Sequence, residues 1–169
     1  MNRLLIIIAL FTLSLVAQGC RGGYSFTGTS ISPDVKTVTI DFITNMAPIV
    51  YPPLSSNLTD ALKDRFMRNT RLTLEPWDGD LHFEGTITNY DVTSMAVTAA
   101  EVAATNRLNI TVRMRFTNNK DDKQSYDRSF SNFADFPSIQ SLDSVQDQLV
   151  SEIIDKLVED IFNAAVANW

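Results

Sequence analysis

Leu108-Asn109-Ile110-Thr111-Val112-Arg113-Met114-Arg115-Phe116-Thr117 alternates apolar and polar residues over its whole length. Ile110, Val112, Met114 and Phe116 fall on one side of an extended chain, and Asn109, Thr111, Arg113 and Arg115 on the other. This is the period of a half-buried strand. Asn118-Asn119-Lys120-Asp121-Asp122 follows as a polar turn, the strongest hairpin signal in the chain, with a return strand from about Lys123 to Phe133. Upstream, Leu81, Phe83 and Ile87 face one way, while His82, Glu84, Thr86 and Thr88 face the other. The Ala-rich stretch Val92–Thr105 reads as the hairpin connection between these strands. An earlier strand fits Val35–Thr44, where Val38, Ile40 and Phe42 alternate with Thr37, Thr39 and Asp41. A short strand-like piece, Leu72–Glu75, leads into the turn Pro76-Trp77-Asp78-Gly79-Asp80.

Two helices complete the pattern. Leu54, Leu58, Leu62 and Phe66 recur every four residues across Leu54–Asn69, with Ser55 or Ser56 as the expected cap. Leu142–Val166 carries the stripe Val145, Leu149, Ile153, Leu157 and Ile161, thickened by Val150, Ile154, Val158 and Phe162, with Asp143 or Ser144 as cap. Two helices with one apolar face each and a sheet with one apolar face make an α+β two-layer sandwich. The expectation is two helices packed on one face of a four-stranded mixed sheet, in the order β-α-β-β-β-α. The other sheet face is uniformly polar, which suits water or a polar partner surface.

The chain begins Met1-Asn2-Arg3, continues through the apolar run Leu4–Ala17, and reaches Gln18-Gly19-Cys20. One basic residue, an apolar segment too short to span a bilayer, and small residues before a lone cysteine read as a lipoprotein signal peptide over residues 1–19. Cys20 is the expected lipidation site, carrying diacylglycerol and an N-acyl chain such as palmitate. Residues 20–33 then form a short linker, and residues 34–169 a single domain. Without residues 1–19 the chain keeps 13 basic and 20 acidic side chains, a formal −7. That balance argues against nucleic acid and against adhesion to anionic lipid by charge alone. A single cysteine excludes an internal disulfide.

Chemistry-bearing motifs are scarce. His82 is the only histidine, which excludes paired-histidine metal sites, and no nucleophile elbow, phosphate loop or dinucleotide fingerprint occurs. No catalytic residue, metal ligand or cofactor is assigned, and the chain reads as a non-enzyme. Asp121-Asp122 and Glu159-Asp160 read as solvated charge. Trp77, Tyr90, Phe133, Phe136 and Trp169 read as core or interface packing. The basic cluster is Arg113 and Arg115 on one strand face, with Arg107 entering the strand. These three are candidate contacts for a phosphorylated glycolipid such as lipopolysaccharide. The competing reading is pairing with Glu84 or a neighbouring carboxylate across the sheet.

Ordered blocks along the chain resemble the LptE family of lipopolysaccharide-assembly lipoproteins, in its Bacteroides-type form. They are Cys20 with Gly23-Tyr24-Ser25-Phe26; Lys36-Thr37-Val38-Thr39-Ile40; Gly79-Asp80-Leu81-His82-Phe83-Glu84-Gly85; Asn106-Arg107-Leu108-Asn109-Ile110-Thr111-Val112; and Glu159-Asp160-Ile161-Phe162-Asn163. The resemblance implies a Gram-negative outer-membrane lipoprotein, on the periplasmic side or within a barrel lumen, whose partner is the large barrel LptD. It implies a plug and assembly factor for that barrel, and a polar sheet face suits a polar barrel interior. It also implies outer-membrane sorting, since Arg21 and not Asp follows the cysteine. One family feature is missing: the loops Val97–Thr105 and Pro137–Asp143 contain no Lys or Arg, where relatives contact lipopolysaccharide through basic residues. The alternative is a general ligand-binding or surface-exposed lipoprotein with no part in lipopolysaccharide export.

Overall fold

The computed structural model describes residues 31–95 and 104–166. The expected signal peptide, Cys20, most of the linker, most of the Val97–Thr105 loop and Trp169 lie outside the described residues. Along the chain come β1 (Thr37–Ile40), β2 (Thr44–Asn45), α1 (Pro53–Asn69), β3 (Thr73–Leu74), β4 (Leu81–Ser94), β5 (Thr105–Asn118), a 3-10 turn (Asp122–Gln124), β6 (Tyr126–Pro137) and α2 (Leu142–Val166). The expected α+β class with two helices and a mixed sheet holds. The sheet order is β3-β1-β4-β5-β6, and β2 lies end to end with β1 along the same edge of β4. β1 is parallel to both β3 and β4, while β4, β5 and β6 form an antiparallel meander.

The strand count is a correction: six strands, not four. β2 and β3 are two residues each, too short to display a period of two. The strand expected over Val35–Thr44 breaks after Ile40. Phe42, expected on the buried side, is 60% exposed, while Ile43 is fully buried. The backbone turns at this point because the Ile43 amide donates to Thr59 Oγ1 on α1 at 3.0 Å, so it leaves the ladder and carries its side chain inward. Gly85 opposite makes room: a Cβ there would lie 2.8 Å from Ile43 Cγ1 and 2.7 Å from Met114 Sδ.

β4 contains a second irregularity. Its register with β5 shifts between Ile87 and Asn89, leaving Thr88 as the extra residue of a β-bulge. Below the bulge the buried residues are Leu81, Phe83 and Ile87; above it, parity switches to Tyr90. The return strand starts and ends later than expected because the 3-10 turn absorbs Asp122–Gln124.

Both helices bury the expected stripes, Leu54, Leu58, Leu62 and Phe66 on α1 and Leu149 to Phe162 on α2, although Val145 is only partly buried. Neither α1 serine caps its helix. The cap position is Pro52 and the first residue Pro53, which brings no amide to satisfy. Ser55 is buried and takes the Thr59 hydroxyl on its carbonyl. Asp143 and Ser144 lie inside the first turn of α2. Phe66, Phe83, Phe116 and Phe162 tie the layers together, with ring centroids 4.8 to 5.0 Å apart. α2 also screens the outer edge of β6: Lys156 Nζ donates to the Phe133 carbonyl at 3.0 Å, and Asn132 donates to Asp160.

Candidate functional site

With both helices on one side, the other face of β4, β5 and β6 is open, and it carries the polar set expected from the alternation. β5 sits in the middle of the meander, so its outward side chains meet those of both neighbours. Arg115 lies opposite Glu84 on one side and Asp127 on the other, at 3.6 and 3.7 Å. Arg113 reaches diagonally to the same Asp127 in a two-pronged contact, Nε to Oδ1 at 2.7 Å and Nη2 to Oδ2 at 3.0 Å. Arg107 grips Asp135 in the same way, at 2.7 and 2.9 Å. Its guanidinium also lies 3.6 Å from the centroid of the Phe133 ring, on the same face. Thr111 and Ser131 share a hydrogen bond between these two clusters.

The pairing sets the protonation of the face. The Arg113 guanidinium beside Asp127 holds that carboxyl below the usual carboxylate range, and Arg107 does the same to Asp135. Arg107 and Arg113 are pushed further up in return, chiefly by those hydrogen bonds. All of these groups stay ionised across physiological pH. A shallow depression of ≈ 360 Å³ lies beside the arginines, floored by Gly85, Thr86 and Thr44 and rimmed by Asp41, Phe42 and Glu84. His82 Nε2 and Asp41 Oδ2 are 3.0 Å apart at one end of the same face.

The structure therefore brings Arg113 and Arg115 together and places Arg107 further along β5, each with a carboxylate already in place. A phosphate approaching them competes with Asp127, Glu84 or Asp135. Glu84 was legible as a partner from the alternation. Asp127 and Asp135 were not, because their places depend on how many residues the 118–125 turn consumes. Among the described residues no group of three or more metal-ligating side chains occurs, and no helix is long and apolar enough to cross a membrane.

Fold and face together define a two-layer α+β domain, closed by helices on one side and open on the other, where three arginines of β5 pair with carboxylates of the neighbouring strands. The chain belongs to the LptE family, described as Lipopolysaccharide-assembly, whose family model matches residues 35–165. That family consists of non-catalytic lipoproteins of the cell envelope. A search of curated proteins finds no significant match. Among solved structures, the chain is similar to a minor lipoprotein from Acinetobacter baumannii at 14% identity and TM-score 0.49, covering 75% of this chain and 89% of that one. It is also similar to lipoprotein B from Nitrosomonas europaea, at 11% identity and TM-score 0.49, covering 75% and 79%. A third similar structure is protein CT253 from Chlamydia trachomatis, at 12% identity and TM-score 0.47, covering 79% and 99%.

Proposed function

We propose that this chain is lipidated at Cys20, sits at the outer membrane, and assists assembly of the lipopolysaccharide-inserting barrel LptD, whose lumen it plugs. Family membership supports the role in lipopolysaccharide assembly. The observation that carries the plug reading is the open face of β4, β5 and β6. Its three arginines are already paired with carboxylates, and Asp91 accepts the Asn89 and Asn109 side-chain amides, so covering it leaves each of these charges hydrogen-bonded or ion-paired. The interior of a transmembrane barrel is polar, and a face of threonine, asparagine, serine and paired ions suits it through hydrogen bonds and bridging water. No step of this role needs a catalytic group or a cofactor beyond the covalent lipid.

Depletion tests the proposal. In cells depleted of the protein, LptD is expected to lose its heat-modifiable folded form, and newly made lipopolysaccharide is expected to stop reaching the surface. A barrel that still folds and still delivers lipopolysaccharide contradicts it.

A further inference from the structure

The end of the domain where the chain enters carries cations of a different kind from those of the open face. β1, β3 and β4 all start at this end, since Thr37 pairs with Thr73 and Val38 with Leu81. α1 finishes there too, because only residues 70–72 separate it from β3. Between the entering chain and the end of α1 lies a groove of ≈ 730 Å³. Ile31, Val35 and Leu72 form its apolar floor, Val35 and Leu72 buried and Ile31 packed against the core. Lys36, Arg68 and Arg71 stand exposed around it. Arg68 pairs with Asp64, one turn earlier on the same helix, and both side chains are well exposed. Asp80 takes the Lys36 main-chain amide, but the Lys36 ammonium and the Arg71 guanidinium have neither ion pair nor hydrogen bond among the described residues. From residue 63 to residue 71 the sequence sets Lys63, Arg65, Arg68 and Arg71 against one carboxylate, Asp64. Arg65 is turned onto the Phe162 ring, at 5.0 Å from its centroid, and away from the groove. In a chain that is acidic as a whole, this is a local inversion of sign.

We propose that this groove holds the headgroup phosphate of an anionic phospholipid from the bilayer that carries the anchor. Lys36, Arg68 and Arg71 supply charge-assisted donors to the phosphate oxygens, and the apolar floor takes the first carbons of the lipid. The inference rests on the lipidation of Cys20 proposed above. Ile31 lines the groove, and the chain from Cys20 to Ile31 spans at most about 40 Å when fully extended. The groove is therefore the first part of the domain that the anchored chain reaches. Tethering keeps the lipid at high local concentration, so a contact of modest strength is enough. Cations near the end of a helix also complement its dipole. That accounts for Arg68, in the last turn of α1, but not for Lys36, which comes from the strand side, nor for the apolar floor. The overall negative charge opposes general adhesion to an anionic bilayer, so the contact is confined to a headgroup gripped in this groove. Held in this way, the starts of β1, β3 and β4 face the bilayer.

Native mass spectrometry of the full-length lipoprotein tests this. The protein in mild detergent is offered phosphatidylglycerol and phosphatidylcholine in equal amounts, with and without excess inorganic phosphate. A single retained phosphatidylglycerol is expected, in preference to phosphatidylcholine. Inorganic phosphate is expected not to displace it, since it lacks the carbons that the floor takes. Lys36→Gln with Arg71→Gln is expected to lower retention roughly tenfold, as the loss of two basic contacts to an anionic lipid implies. Both positions are exposed, so this variant is expected to unfold at the wild-type temperature. Lys36→Arg with Arg71→Lys, which keeps the charges, is expected to retain the lipid. Lys63→Gln with Lys123→Gln, which removes two charges outside the groove, is expected to retain it too. Equal retention of the two lipids, displacement by inorganic phosphate, or undiminished retention by the Lys36→Gln, Arg71→Gln variant overturns the inference. An equal loss in the Lys63→Gln, Lys123→Gln variant also overturns it, since the contact is then one of overall charge. The mass of the chain itself reports the acyl groups on Cys20. A chain without them contradicts the anchor and not the groove, whose lipid is counted in the same spectrum.

Discussion

At Asp80 one carboxylate holds three segments of chain together. Its Oδ2 accepts the Lys36 amide at 2.7 Å and the Thr37 amide at 3.2 Å, and Oδ1 pairs with Lys120 Nζ at 2.9 Å. These donors, the Lys36 amide first, hold its pKa at about 2, against an ordinary 3.8. A carboxyl held low in the folded state stabilises the fold fully above its unfolded value and loses that contribution as pH falls. Urea unfolding followed from pH 7 to pH 2 is therefore expected to show stability falling between about pH 4 and pH 2. Asp80→Asn is expected to cost about 1–2 kcal/mol at pH 7 and to flatten that part of the profile. Gly85 is a different kind of constraint. Ile43 and Met114 already occupy the space of its missing side chain, so Gly85→Val is expected to destabilise by roughly 1–3 kcal/mol through overpacking, read as a lower urea midpoint with unchanged slope.

At the scale of elements, the meander contains one bulge and one turn. Deleting Thr88 leaves Ile87, Asn89 and Tyr90 opposite Val112, Thr111 and Ile110 in regular alternation, so Tyr90 stays in the core. The deletion variant is expected to keep cooperative thermal unfolding, measured by circular dichroism. In the turn, the buried Asn118 accepts the Lys120 and Asp121 amides on Oδ1 at 2.9 and 3.1 Å and donates to Gln124 at 2.9 Å. Asn118→Ala leaves these groups without partners, and a loss of about 2–3 kcal/mol is expected in the same assay. The long strands and both helices were legible because period-2 and near-period-4 stripes run unbroken through Leu108–Thr117, Leu54–Phe66 and Leu149–Phe162. β2 and β3 were not, since two residues cannot show a period. Nor was the break at Phe42, which depends on an amide finding Thr59 on a helix sixteen residues away. The bulge did leave a trace, the jump from Ile87 to Tyr90, but a parity change alone does not distinguish a bulge from a strand end. For the open face, the alternation revealed which side chains share it, whereas the Arg107–Asp135 and Arg113–Asp127 pairs needed the turn length.

Across the whole molecule, arginine–carboxylate pairs run along the open sheet face. Exposed ion pairs add little to stability, so Arg113→Gln with Arg115→Gln is expected to leave the unfolding midpoint nearly unchanged. The same variant leaves Asp127 and Glu84 without their arginines, which places unpaired negative charge on the face proposed to enter the barrel, and it is expected to lower LptD capture at least tenfold. A variant that captures LptD normally would move the contact to another surface. The central claim is the partnership itself, and affinity capture of the full-length lipoprotein in mild detergent tests it most directly. The account predicts that LptD, recognised by mass and by its heat-dependent mobility, co-purifies in stoichiometric amount; capture of the folded lipoprotein without LptD would contradict it.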